Sequence, residues 1–91
     1  MTAPPLGDAR AGRLADNITA FGRALRRAGV PVDSSRIALA QQATTLVGVE
    51  RKLDFGAALE SVMIGREQDR AVFRDMFDAF FRYPEAAARL L

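Results

Sequence analysis

Neither cysteine nor histidine occurs in this chain, and the two absences together remove a large share of protein chemistry. Without cysteine there is no disulfide framework, no thiolate nucleophile and no thiolate-ligated metal. Without histidine there is no Ser-His-Asp triad, no side chain that ordinarily titrates near neutral pH, and hardly a zinc site to be built. Tryptophan is absent and tyrosine occurs once, so clusters that favour strands are scarce. No apolar run approaches the roughly 20 residues that span a bilayer. The N-terminus, MTAPPLGDAR, has neither the basic start nor the apolar stretch of a secretory signal. No nucleophile stands beside a base. The expectation is a cytoplasmic protein that is not an enzyme, with no cofactor, no bound metal and no membrane partner.

What is present argues for helix. The chain has 91 residues, 49% of them hydrophobic and 26% charged, enough for one domain with a genuine core. It is dense in Ala, Leu and Arg, which favour helix over sheet. The formal net charge is only +2; the sequence pI of about 9.9 reflects a small basic excess carried almost wholly by arginine, which does not titrate below about pH 12. Acidic residues are interleaved with arginine along most of the chain, unlike the clustered basic face of a nucleic-acid binder.

Along the chain, residues 1–7 carry Pro4, Pro5 and Gly7 and read as a lead-in to a single domain over 8–91. A first helix is expected from Asp8 or Arg13 to Ala28, because Leu14, Ile18, Phe21, Leu25 and Ala28 recur at spacings of three and four. Gly29 and Pro31 stop it, and Gly22 within it implies close approach by a neighbouring helix. Asp33 or Ser34 caps a second helix to Val47, whose apolar positions, Leu39 and Leu46 among them, spread around half the cylinder. Asp54 is expected to cap a third helix, Asp54 to Ile64, with Phe55, Ala58, Leu59, Val62 and Met63 on one face. The fourth spans Glu67 to Arg82. There Val72, Phe73, Met76, Phe77 and Phe80 share a face with Phe81 at its edge, against Arg74, Asp75, Asp78 and Arg82. Pro84 opens a short fifth helix to Leu91. The fold class is all-α, a compact bundle of four to five short helices.

Arg23, Arg26, Arg27 and Arg36 form the densest basic patch. They are suited to phosphates or an acidic partner, although arginines near a helix C-terminus also complement its dipole. No aromatic residue interleaves with them as in single-strand binders. A helix-turn-helix from the second and third helices is disfavoured because their connection exceeds three or four residues. Nucleic acid is therefore the weaker partner reading. Asp75 and Asp78, with Glu67 and Asp69, lie three or four residues from Arg70, Arg74 and Arg82 and read as a surface ion-pair ladder rather than a carboxylate site. Asp33-Ser34-Ser35 reads as a helix cap. Val30, Val32, Val49, Leu53, Ile64, Leu90 and Leu91 are left over once the helix faces are assigned, and leftover apolar surface calls for a docking partner or a homodimer. The candidate interaction surface is Arg23, Arg26, Arg27, Arg36, Ile64, Leu90 and Leu91.

Several segments together carry a family resemblance. They are Phe21-Gly22-Arg23 leading to Leu25-Arg26-Arg27-Ala28-Gly29-Val30-Pro31-Val32, then Leu46-Val47-Gly48-Val49-Glu50-Arg51, then Asp54-Phe55 with Ala58-Leu59, and finally Asp69-Arg70 with Phe73, Phe77 and Phe80-Phe81. Over most of Leu14 to Phe81 the chain resembles the N-terminal helical region of CoxE-like proteins that carry a von Willebrand factor A domain. The arginine-to-valine segment is the most distinctive part. Proteins of this kind are thought to assist MoxR-type AAA+ ATPases in cofactor insertion or complex assembly. The resemblance implies a non-catalytic adaptor whose protein partner is such an ATPase.

Overall fold

The computed structural model describes residues 6–47 and 51–81, and among them the chain forms four α-helices and one 3₁₀ turn, with no strand. Helix α1 is Leu6–Arg27, α2 is Ser34–Val47, α3 is Lys52–Met63 and α4 is Arg70–Phe80; a 3₁₀ turn, Glu67–Asp69, leads directly into α4. This is the expected all-α bundle. The fifth helix expected at Pro84 to Leu91 lies outside the described residues, as do residues 1–5, whereas Leu6 and Gly7 of the expected lead-in are already helical.

Local chemistry sets the ends of these helices. Gly29, at φ 97°, is in the left-handed region that glycine enters without a Cβ penalty. The Gly29 N–H donates to the Arg26 carbonyl and the Val30 N–H to the Leu25 carbonyl, both at 3.0 Å, the paired bonds of a Schellman termination. That motif brings the residue after the glycine onto the last turn, so Val30 is buried with Leu25. At the start of α2 the Arg36 N–H donates to Asp33 Oδ1 at 2.8 Å, so Asp33 is the cap. Helix α3 starts earlier than expected: Arg51 stands at the N-cap without a side-chain bond, and Asp54 lies in the first turn, where its charge favours the positive end of the dipole. The early start leaves Leu53 exposed.

Phe21 of α1 is the hub of the core. Its ring lies 5.2–6.3 Å, centroid to centroid, from those of Phe73, Phe77, Phe80 and Phe81, and Phe55 of α3 meets Phe77 and Phe81 at 5.6 and 5.2 Å. Most of these pairs are edge-on or tilted, as the ring quadrupole favours. Each buried phenylalanine contributes roughly 1.5–3 kcal/mol, so one aromatic cluster ties α1, α3 and α4 together. Phe80 and Phe81 exchange the roles read from the helical wheel. Helix α4 ends at Phe80, which stays 38% exposed, and the changed backbone at Phe81 turns that ring fully into the core.

Helix α2 packs on α1 and most extensively on α3. It buries Ile37, Ala40 and Thr44, while Leu39 and Leu46 face solvent, so the apolar half-cylinder expected for α2 is covered on one side only. Gln41 latches α2 to α1, its Nε2 donating at 2.8 Å both to the Ala15 carbonyl and to Thr19 Oγ1. At Gly22 helix α1 leaves room for α2: a Cβ there would stand 2.7 Å from Ile37 Cγ1 and Cδ1.

Candidate interaction surface

Two turns meet at one end of the bundle, residues 28–33 between α1 and α2, and residues 64–66 after α3, and arginines staple them. Arg26, in the last turn of α1, donates through Nε to the Val32 carbonyl at 2.8 Å. Arg36, in the first turn of α2, donates through Nη1 to the Val62 carbonyl at 2.8 Å, satisfying a carbonyl that the end of α3 leaves without an intrahelical partner. Its Nη2 lies 3.9 Å from where a Cβ on Gly65 would stand. Arg66 donates through Nε and Nη2 to the two oxygens of Asp69 at 2.7 and 3.0 Å, and reaches the Gly29 carbonyl at 3.4 Å. Arg23 and Arg27 are exposed on α1 and form no hydrogen bond or ion pair with the described residues.

Of the surface expected from the sequence, Arg26 and Arg36 are held at this end by their bonds, while Arg27 ends α1 and Arg23 lies one turn before it. Ile64 does not belong to that surface. The side chain is 5% exposed and part of the core, as are Val30 and Val32 at 2%; the Val30 N–H donates to the Leu25 carbonyl and Arg26 to that of Val32. Leu90 and Leu91 lie outside the described residues, as does Val49. Sequence reasoning missed Arg66 and misjudged Asp69, which is 6% exposed rather than a rung of a surface ladder. The signal was the Arg66-x-x-Asp69 spacing where a new helix begins. The hydrogen bond that Arg66 donates to Asp69 holds the Arg66 guanidinium pKa above its ordinary value.

A second feature is a groove of about 420 Å³ between α3 and α4, lined by Leu53, Gly56, Ala57, Phe73 and Phe77 and rimmed by Lys52, Glu60, Arg74 and Asp78. Its rim charges bridge the two helices: Lys52 to Asp78 at 3.0 Å, and Arg70 and Arg74 to Glu60 at 2.9 and 3.0 Å. The carboxylates and arginines of α4 thus staple neighbouring elements instead of forming a ladder along one helix. Among the described residues only Glu67 with Arg70, at 2.7 Å, follows the expected spacing, Arg82 lying outside them, and that pair is the main reason the Arg70 pKa is raised.

A family model described as the CoxE N-terminal helical bundle domain matches residues 18–84, which take in α1 from Ile18 onward, the Schellman turn, helices α2 to α4 and the arginine-stapled end. The chain belongs to this family. No curated protein and no solved structure matches it. The match to the CoxE N-terminal bundle starts at Ile18, one turn before the Phe21 hub, and takes in the resembling segments from Phe21 to Phe81. Among the described residues no group of three or more acidic side chains converges as a cation site, and Asp33 is committed to the cap of α2. No described helix is long and apolar enough to cross a membrane.

Proposed function

We propose that this CoxE-type bundle is a non-catalytic docking module, a cytoplasmic adaptor that assists a MoxR-type AAA+ ATPase in cofactor insertion or complex assembly. The observation that carries this reading is the family match over residues 18–84. The polar chemistry of the described residues agrees with it. Gln41, Glu60 and Asp69, the least exposed polar side chains with partners in other elements or turns, act as staples between them, while exposed arginines and leucines are left to meet a partner.

The rival, a small basic nucleic-acid binder, fares differently from what the sequence suggested. Between Val47, the last residue of α2, and Lys52, the first of α3, the sequence has four residues, a length a helix-turn-helix allows, so the objection from length falls. The stronger objection is chemical. The exposed positions of α3 are Leu53, Asp54, Ala57 and Ser61, without the basic and amide side chains that read base edges. The test is to mix the purified chain with a MoxR-type ATPase from the same organism and measure mass by light scattering after size exclusion, with and without ATP. A complex is expected. Absence of one in either state, together with DNA binding that weakens steeply with salt, would replace the adaptor reading with the nucleic-acid one.

A further inference from the structure

We propose that the arginine-stapled end of the bundle is a docking site for an acidic protein segment, one rich in aspartate and glutamate. The inference rests on the docking reading and adds the surface and the chemistry of what it recognises. Arg26, Arg36 and Arg66 meet at the two turns through the bonds they make there, Arg27 is the last residue of α1 with Arg23 one turn before it, and all five residues are exposed. The nearby carboxylates are Asp33, taken up by the α2 cap, Asp69, whose two oxygens both accept from Arg66, and Glu67, paired with Arg70. The local charge is therefore strongly positive in a molecule whose formal net charge is only +2.

Three of these arginines are already fixed in place. Arg26 and Arg36 each bind one backbone carbonyl through a single nitrogen, and Arg66 is locked on Asp69 and Gly29. A free arginine side chain loses up to about 2 kcal/mol of rotamer entropy on being ordered. Here that loss is already met by folding, and the other N–H groups of Arg26 and Arg36 are left for a ligand. The rigid fork of a guanidinium matches a carboxylate in a two-point contact. Arg23 and Arg27, one helical turn apart and unanchored, widen the target. Phosphate would also suit arginine, but single-stranded nucleic acid binds where aromatic rings offer stacking platforms, and among the described residues every ring but that of Phe80 is buried in the core. A carboxylate-bearing peptide needs no such platform.

The experiment is fluorescence anisotropy with the whole chain and a labelled Glu-rich peptide, a Gln-rich peptide of equal length, and labelled single-stranded DNA. The Glu-rich peptide is expected to bind and the Gln-rich one not to. Arg27→Glu should weaken binding about fivefold or more, whereas Arg51→Glu, the same change of charge at the opposite end of α3, should change it by less than about twofold. Neither residue anchors another element, so both variants should retain the native melting transition. Equal loss in the two variants would overturn the proposal by showing that net charge alone attracts the peptide. Tighter binding of DNA than of the Glu-rich peptide, lost in Arg27→Glu, would overturn it in favour of nucleic acid. No binding of the Glu-rich peptide by a chain that still forms the ATPase complex would sink this inference and leave the docking reading standing.

Discussion

At the scale of single residues, two glycines of α1 and its termination illustrate different physical needs. Gly29 needs backbone freedom: its φ is 97° and nothing lies within 4 Å of where its Cβ would be. Gly22 needs room. Alanine there would gain about 1 kcal/mol of helix propensity but would drive a methyl group to 2.7 Å from Ile37 and 3.3 Å from Met63 Cε, and overpacking of that kind costs about 1–3 kcal/mol. Gly22→Ala is therefore expected to destabilise the bundle. In a double-mutant cycle with Ile37→Ala the two losses should fall short of additivity by at least about 0.5 kcal/mol. Urea denaturation of the four proteins checks this, and additive losses would mean that the approach of α1 and α2 does not limit the site. Gly22 was readable as a close approach from the sequence, because a glycine beside the apolar face of a helix has few other uses. Which side chain fills the space it leaves was not.

At the scale of elements, α4 shows how a helical wheel succeeds and where it stops. Phe73 and Phe77 lie inward and Arg74, Asp75 and Asp78 outward, as periodicity demands. Phe77→Ala should cost about 3–5 kcal/mol, as for other buried phenylalanines. Asp78→Ala should cost less than about 0.5 kcal/mol, because its pairing with Lys52 is a surface contact with 40% and 72% of the two side chains exposed. Thermal or urea melts of the two variants decide it, and comparable losses would mean that the faces of α4 are wrongly oriented. The wheel stops at Phe81, whose position depends on where the helix ends and what the next backbone step does. It is equally silent on charges. Glu60, with 16% of its side chain exposed, accepts from both Arg70 and Arg74 across the α3–α4 groove, pairs that no spacing along one helix could display.

For the whole molecule, the leftover apolar surface is redistributed rather than removed. Val30, Val32 and Ile64 are covered, and Leu39, Leu46 and Leu53 are exposed at 53%, 89% and 88%. Leu46 and Leu53 flank the short connection between α2 and α3, so self-association, where it occurs, should centre on that end. A few scattered leucines bury far less than the roughly 800 Å² per partner of a stable interface. The expected outcome is a weak monomer–dimer equilibrium, visible by light scattering at concentrations of tens of micromolar, and shifted to monomer by Leu46→Glu with Leu53→Glu. A monomer mass throughout that range would leave docking on another protein as the only use of this surface.

The sequence by itself determined the class of fold, the order of the helices, the glycine stop after α1, a cap for α2 at Asp33 or Ser34, and most of the aromatic core. Each of these follows from interactions within a few residues or from a periodicity that one helix repeats. Only the tertiary structure decided that the connections at Val30, Val32 and Ile64 are interior, that Leu39 and Leu46 are not, and that Arg26, Arg36, Arg66 and Asp69 converge on one end. Those outcomes depend on partners far apart in the chain, Arg36 with Val62 and Arg66 with Gly29, and on which carbonyls the helix ends leave unpaired. A side chain long enough to reach either of two turns carries no mark in the sequence of which one it will hold.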